Sequence, residues 1–346
     1  ADLARTASAS ETALSNRNVI INGAMQISQR SASVTGITGD GYHTLDRWRT
    51  AVSALGTWTQ TQSTDVPTGA GFATSLKMDC TTADGSPAAT DVVQIQTRFE
   101  GQNLQQFKYG TSSAESITLS FWVKATKTGV NVVGLYQDDG AKSISGTYTI
   151  GTSNTWEYKT ITFVGNTVNA IVNDNTRGIQ CGFYLGAGSN RTSGTLRTTW
   201  TAYATADEAV GQVNNGDSTS NDWLITGLQL EVGTVATPFE HRSFGQELAL
   251  CQRYYYVFGG EGGAPNIQGY GKGGDNTFGF TYPSGSMRAS PSGATSGTWA
   301  KSNCGDPYLV HQSSRQFSVR VGVSSQGNYE FYPASGSGKI ELSAEL

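Results

Sequence analysis

Aromatic side chains are the residue type in this sequence with the clearest chemical use. The 346 residues include seven Trp, 15 Tyr and 13 Phe. Flat rings can stack on the apolar faces of sugars, while the Ser, Thr, Asn and Gln side chains around them bind hydroxyl groups. Four aromatic residues lie in sequence rich in Gly, Ser and Pro: Tyr270, Tyr282, Trp299 and Tyr308. We predict that their rings are exposed and serve recognition.

Residues that could carry catalysis are present without the spacing that catalysis needs. The histidines His43, His241 and His311 lack metal-ligand spacing, and no Ser stands in a G-x-S-x-G elbow. Acidic pairs occur at Asp138-Asp139 and Asp207-Glu208, but neighbours on a strand point to opposite faces and Asp-Asp-Gly is common in turns. Carboxylates from distant strands could still pair, as in glycosidases. We predict no catalytic residues and no enzymatic activity.

No metal or cofactor is predicted. The cysteines Cys80, Cys181, Cys251 and Cys304 form no C-x-x-C pair, so we expect buried thiols, with one or two disulfides left open. The segment 269–274 matches G-x-G-x-x-G, yet no helix follows it to bind a phosphate, so it is interpreted as a surface loop.

Composition limits the fold and the partners. Charged residues are only 14% of the chain and Gly accounts for 43 residues, which favours short strands and turns over helices. The net charge of −4 provides no basic stripe for nucleic acid. No run reaches the roughly 18 apolar residues that cross a bilayer, so no membrane insertion is expected.

The pattern along the chain predicts an all-β protein: a jelly-roll or β-sandwich domain, one short helix and a smaller C-terminal β domain. Residues 117–123 alternate apolar and polar side chains, as half-buried strands do, and 18–27 indicate a strand pair or a bulged strand. The predicted boundaries are 1–17 for an N-terminal arm, 18–242 for the sandwich, 243–258 for the helix and 259–346 for the second domain. Four rings are expected in the sandwich core: Trp48, Phe121, Trp156 and Trp200.

Several sequence motifs resemble those of tail fibres and other virion structural proteins of tailed bacteriophages. The most specific lie in 18–48 and 223–256, and the similarity extends over nearly the whole chain. The motifs are NVIINGAMQI at 18–27, GY at 41–42, LDRW at 45–48, LSFWVK at 119–124, TWEY at 155–158, ITGLQLEVG at 225–233, TPFEHR at 237–242 and ELALCQRYYY at 247–256.

The resemblance implies a virion location and a sandwich like that of carbohydrate-binding modules. It implies a tail-fibre or spike subunit and a trimer. For such a subunit, the small, polar residues of the arm predict docking to other virion proteins, and the exposed-type rings among Gly and Pro turns predict contact with a host-surface glycan through loops between about Gly259 and Pro307. Secreted modules often carry a calcium-linked Asp-Asp pair where this chain has Thr226-Gly227, so calcium is not implied. Alternatives from the sequence are a capsid decoration or head fibre, a glycan depolymerase and a secreted sugar-binding module.

Overall fold

The computed structural model describes residues 16–259, 267–282, 285–334 and 337–346. The predicted docking arm lies outside the described residues except for its last two. The chain divides after Phe244 into two compact units, and Leu346 groups with the first. No helix within these described ranges has the length and apolarity needed to span a bilayer.

Unit 1 is a β-sandwich, as predicted. Its strands are β1 (Ser33–Ile37), β2 (Gly41–Tyr42), β3 (Arg49–Ser53), β4 (Thr57–Ser63), β5 (Ser75–Thr82), β6 (Val92–Glu100), β7 (Ile117–Ala125), β8 (Gly129–Gln137), β9 (Lys142–Ile150), β10 (Glu157–Phe163), β11 (Arg177–Ala187), β12 (Thr201–Ala202) and β13 (Asp222–Val232). The short helix α1 (Ser189–Thr192) and 3-10 turns at Gly101–Asn103, Gln105–Phe107 and Thr205–Asp207 lie between them.

Two antiparallel sheets form the sandwich. The first has the order β1-β4-β5-β13-β7-β10 and the second the order β12-β9-β8-β11-β6-β3-β2. Alternation along β7 turns Leu119, Phe121 and Val123 inward, where they are fully buried. The ring of Phe121 meets that of Phe183 from the other sheet edge to face, with centroids 5.2 Å apart. Of the predicted core rings, Trp48 and Phe121 are fully buried, whereas Trp156 and Trp200 are half-buried.

The prediction of a strand pair or a bulged strand at 18–27 is wrong. These residues form a buried irregular segment with a turn at 21–24, and Asn22 has a left-handed φ of 59°. Side chains replace the strand ladder here. Asn18 Oδ1 accepts bonds from the amides of Ile20 and Leu230, and Asn18 Nδ2 donates to the carbonyl of Leu228. Buried backbone groups must be paired, and asparagine pairs them without a neighbouring strand.

The segment after β13 closes the same network. Glu231 is buried and accepts bonds from the amide and hydroxyl of Thr237 at 2.8 and 2.6 Å. Arg242 Nη1 donates to the carbonyl of Ile20 at 3.0 Å, and a Glu240 carboxylate oxygen accepts the amide of Asn18 at 2.8 Å. Residues within the motif regions 18–48 and 223–256 therefore tie the start of the described chain to the closing strand.

Unit 2 contains a shorter helix than predicted, followed by strands. Its elements are α2 (Phe244–Gln252), β14 (Tyr255–Gly259), β15 (Ile267–Thr281), β16 (Ser292–Ser296), β17 (Trp299–Ser302), β18 (Tyr308–Gln312), β19 (Gln316–Pro333) and β20 (Lys339–Ser343). The helix was expected to continue to Phe258, but the aromatic run from Tyr255 favours a strand and pairs with β20.

Unit 2 has two sheets, ordered β14-β20-β16 and β15-β19-β17, with β18 also pairing with β19. Its core is packed around Phe317, Val319, Val321 and Phe331. The stretch 259–307 was predicted as recognition loops, but much of its described part consists of strands. The G-x-G-x-x-G segment likewise lies inside β15, so its interpretation as a loop is wrong.

Candidate functional site

The four rings predicted for recognition do not form one site. Tyr270 on β15 and Tyr308 on β18 are exposed, at 62% and 42% of their surface. Tyr282 and Trp299 are buried, which corrects the expectation for both. Tyr282 packs against Phe317 and Trp299 against Phe331, and all four rings belong to the core of unit 2.

Tyr270 and Tyr308 are also far apart along the sheet. Tyr270 lies opposite Asn328 of β19, and Tyr308 lies opposite Arg320. The eight residues from 320 to 328 correspond to about 27 Å of extended strand, too far for one small ligand to bridge.

A more enclosed site lies on the outer face of the second sheet of unit 1. The floor of this groove is made by two glycines on neighbouring strands, since Gly134 of β8 lies opposite Gly182 of β11. A Cβ on Gly134 would reach Ser145 Oγ at 3.6 Å and Tyr184 at 3.8 Å, which are ordinary contacts. The floor is therefore open above Gly134, where a ligand can approach the backbone closely, whereas the Gln94 side chain occupies the place where a Cβ on Gly182 would stand.

One wall of the groove comes from the chain between β11 and β13. This covering segment packs on the outer face through a small cluster that includes Val132, Tyr184 and Ala209. Asp207 fixes its shape by accepting bonds from the amide of Thr195 at 2.7 Å and from Arg197 Nε at 2.6 Å. Hydrogen bonds from these two groups lower the pKa of the Asp207 carboxyl. The wall thus belongs to a folded segment with its own ion pair.

Two tyrosines meet at the mouth of the groove. Tyr136 of β8 and Tyr203 of the covering segment pack edge to face with centroids 5.2 Å apart. The guanidinium carbon of Arg177 lies 5.8 Å from the centre of the Tyr136 ring, and Asp138 holds that guanidinium through two bonds of 2.6 and 2.5 Å. Bonding to Asp138 raises the pKa of Arg177. The rings therefore present an aromatic edge beside a fixed cation.

Glu208 connects the wall to the floor. One carboxylate oxygen accepts the hydroxyl of Tyr203 at 2.7 Å, and the other is bonded by Arg191. Burial, together with the nearby Glu208 charge, raises the pKa of Tyr184 well above its ordinary value, and that of Tyr203 is also raised. Both tyrosines are therefore neutral hydrogen-bonding groups at physiological pH.

Amide and guanidinium groups continue from the groove across the sheet. Gln180 Oε1 accepts bonds from Arg177 Nη1 and Arg98 Nε, each at 3.1 Å. Gln96 Oε1 accepts a bond from Arg49 Nη1 at 3.1 Å, and Gln96 Nε2 donates to Gln94. These partners hold the amides in one orientation, which prepares them to bind hydroxyl groups at little entropic cost.

The resulting cavity has a volume of about 300 Å³ and is lined by Gln94, Gly134, Leu135, Tyr136, Ser143, Ser145, Arg177, Gln180, Tyr184, Tyr203 and Glu208. Aromatic rings, amides and hydroxyls of this kind can bind a saccharide by stacking and by hydrogen bonds. Its carboxylate, Glu208, is engaged by Arg191 and Tyr203, an arrangement that suits positioning rather than proton transfer. The described residues contain no group of three or more His, Cys, Asp or Glu side chains placed to hold a metal ion.

The sequence analysis did not identify this groove. Tyr136 and Tyr203 were not among the predicted recognition residues, and the acidic pair Asp207-Glu208 was not predicted to form a site. A usable signal was the run of outward positions Gly134-Tyr136 and Gln180-Gly182-Tyr184, which combine small, polar and aromatic residues on what would otherwise be a solvated face. The covering segment that turns this face into a groove has no comparable signal.

The cysteines and the acidic turn agree with the sequence analysis. All four cysteines are buried, and Cys80, Cys181 and Cys304 are free thiols. Burial raises the pKa of Cys181 to about 12, so this thiol is unreactive. Asp138 and Asp139 lie in a turn after β8.

No protein-family model matches the chain, and no curated protein sequence matches it. Its structural neighbours include phage tail proteins and carbohydrate-binding modules. The enzymatically active domain of tailspike protein 4 of bacteriophage CBA120 aligns over 63% of this chain and 22% of its own, with 13% identity and a TM-score of 0.32. The module TmCBM61, solved with β-1,4-galactotriose, aligns over 63% of this chain and 100% of its own, with 10% identity and a TM-score of 0.31.

The baseplate tripod of bacteriophage Tuc2009 aligns over 90% of both chains, with 11% identity and a TM-score of 0.29. The chain spans less than a quarter of the tailspike domain's length. With TM-scores near 0.3, these similarities carry no information about what this chain binds.

Proposed function

We propose that this protein is a non-enzymatic structural subunit of a tailed-phage virion and that unit 1 binds a host-surface saccharide in the groove between Tyr136 and Tyr203. The observation that carries the binding proposal is the groove itself, in which a glycine floor, an aromatic edge and pre-oriented amides meet. The virion assignment rests on the sequence motifs at 18–48 and 223–256. A tail fibre or spike is the proposed position, and a trimer is the assembly that the resemblance implies.

Binding is tested by applying the full chain to an array of immobilised oligosaccharides of defined sequence. The substitution Tyr136→Ala should weaken binding to at least one oligosaccharide that the native chain retains by about tenfold, because it removes the stacking surface. Tyr158→Ala is the matched control, since Tyr158 is an exposed tyrosine at 45% on the opposite sheet. Equal effects of the two substitutions would refute the groove.

The virion assignment is tested by immunogold electron microscopy with antibody raised against this chain. Label on tail fibres or spikes is expected. Label on the head would replace the proposal with a capsid decoration or head fibre, and unlabelled particles would refute a virion role. Release of reducing ends from an array-selected polysaccharide by the purified chain would overturn the non-enzymatic part.

The arm of residues 1–17 is proposed to dock the subunit to other virion proteins. Its described end is held by unit 1, where Arg17 Nη2 donates to the carbonyl of Pro238 at 2.6 Å. A chain lacking residues 1–15 should therefore fold and keep its saccharide binding but be absent from particles. Incorporation at full occupancy would move the docking function to another part of the chain.

A further inference from the structure

The four-stranded sheet of unit 2 has an outer face that the groove of unit 1 does not involve. Three strands meet there in register, with Gln268 of β15 opposite Glu330 of β19 and Glu330 opposite Ser302 of β17. Residues directly opposite one another share a face, so these three polar side chains form one row. On the other face, the neighbouring Tyr329 and Phe331 are buried in the core of unit 2.

An exposed tyrosine stands on each side of this polar row. Tyr270 follows Gln268 by two residues and Tyr332 follows Glu330 by two, so both rings lie on the outer face. Their exposed fractions are 62% and 40%, high for rings beside a packed core. Tyr270 is level with Asn328, four residues from Tyr332, which separates the two rings by about 14 Å along the strand.

A cavity of about 430 Å³ lies beside this row, lined by Gln268, Gly269, Ser302, Asn328, Tyr329 and Glu330, and the two flanking rings stand outside its lining. Gln268 Nε2 donates to Glu330 Oε1 at 3.1 Å, which orients the amide. Gln326 Nε2 donates to the hydroxyl of Tyr270 at 2.9 Å, which limits the motion of that ring. The site therefore combines an oriented amide and carboxylate with an aromatic ring at either end.

We propose that this outer face is a second saccharide-binding site, separate from the groove of unit 1. A span of about 14 Å suits an oligosaccharide of about four residues, with its terminal rings on Tyr270 and Tyr332 and its central hydroxyls on Gln268, Glu330 and Ser302. The carboxylate of Glu330 lies at the centre of the row and repels acidic sugars. Lys301 is paired with Asp306 at 2.6 Å, and Lys272 lies four residues from Gln268 along β15, beyond Tyr270. The ligand class is therefore a neutral oligosaccharide.

Two saccharide sites on one chain lower the affinity that each site needs for the chain to hold a polymer. A surface polysaccharide repeats its units, so one polymer can engage both sites of a subunit and of its copies. Linked binding events raise overall avidity even when each site alone is weak. The second site therefore binds an oligosaccharide on its own and adds to the retention of a polymer that the groove also holds.

The test uses the full chain with its groove filled by Gly134→Leu, applied to an array of neutral oligosaccharides two to six residues long. Binding that survives Gly134→Leu should fall about tenfold with Tyr270→Ala and about tenfold with Tyr332→Ala. Tyr270→Phe should retain it, because the ring stays. Tyr308→Ala is the matched control: Tyr308 is exposed, pairs with the same strand and lies outside the site. Tyr270, Tyr332 and Tyr308 are exposed, so their substitutions should leave the melting temperature unchanged, which confirms that the variants are folded.

The outcomes separate this inference from the proposed function. If Gly134→Leu alone abolishes all binding, or if Tyr270→Ala and Tyr332→Ala have no greater effect than Tyr308→Ala, the second site is refuted and the groove stands. If Gly134→Leu has no effect while Tyr270→Ala and Tyr332→Ala abolish binding, the second site stands and the groove is refuted.

Discussion

The groove of unit 1 and the outer face of unit 2 place the same residue types on a sheet in different surroundings. In unit 1, a covering segment with its own ion pair, Asp207–Arg197, raises a wall beside a glycine floor. In unit 2, Tyr270 and Tyr332 flank a polar row with no covering segment among the described residues. The difference teaches that strand alternation alone can present rings and amides, whereas enclosure needs a second piece of chain packed on the same face.

The largest expected effect is the difference in stability between replacing a buried ring and replacing an exposed ring of unit 2. Trp299→Ala should destabilise unit 2 by about 3–5 kcal/mol, because Trp299 packs on Phe331 inside the core. Tyr270→Ala should change stability by less than about 0.5 kcal/mol. Denaturant unfolding followed by fluorescence checks both. Similar stabilities for the two variants would show that Trp299 is not a core residue and would reopen its role in recognition.

The next effect distinguishes the virion-like motifs from the groove in unit 1. Asn18→Ala removes three buried hydrogen bonds to backbone groups and should cost about 2–3 kcal/mol of unfolding free energy. Saccharide affinity of the folded variant should be unchanged, because Asn18 is not among the residues that line the groove. Thermal unfolding and array binding give the two readouts. Weaker binding at full stability would contradict the structural role of the motif.

The smallest effect concerns the first sheet, which carries no groove in this account. Asp79 and Asp222 lie opposite each other, and Lys77 bonds Asp222 at 3.0 Å. Burial and the hydrogen bond with Asp222 raise the pKa of Asp79 above its usual 3.8. The folded state therefore holds this proton more tightly than the unfolded chain, and stability declines as pH rises from about 3.8 through the folded pKa.

Asp79→Asn should remove that decline. At neutral pH, the free energy of unfolding of this variant should exceed that of the native chain by less than about 1 kcal/mol, since the Asp79 carboxyl is half-exposed. Below pH 3.8 the two free energies of unfolding should be equal. Asp65→Asn is the control of opposite sign. Burial alone would raise the pKa of Asp65, but bonds from Lys124 and Trp156 lower it, so its replacement should cost stability at neutral pH. Melting curves recorded across pH measure both variants. A lower stability of Asp79→Asn than of the native chain at neutral pH would contradict the raised pKa of Asp79.

The fold class followed from alternation, but the sites did not. Strands such as β7 can be predicted from apolar side chains at every second position. This pattern is local, so it does not depend on which strands pair with each other. The error at 18–27 came from reading β-prone residues without knowing that Asn18 and Asn22 would replace a ladder. Tyr282 and Trp299 were predicted to be exposed from the Gly- and Pro-rich sequence around them. Such a composition indicates turns, but it does not show which aromatic side chains are buried in the core. The groove depends on strands far apart in sequence and on a segment that folds back over them.

The most direct test of the central claim compares two glycine substitutions. Gly134→Leu adds a side chain at a position where a Cβ makes only ordinary contacts, so it fills the groove without straining the sheet. Gly279→Leu is the matched control on β15, where a Cβ would have no heavy atom within 4 Å. Isotherms are measured by titrating each full-length chain with the oligosaccharide that loses most affinity in Tyr136→Ala. If the groove binds the saccharide, the dissociation constant should rise at least tenfold in Gly134→Leu and stay unchanged in Gly279→Leu, whereas native affinity in Gly134→Leu would contradict the proposed site.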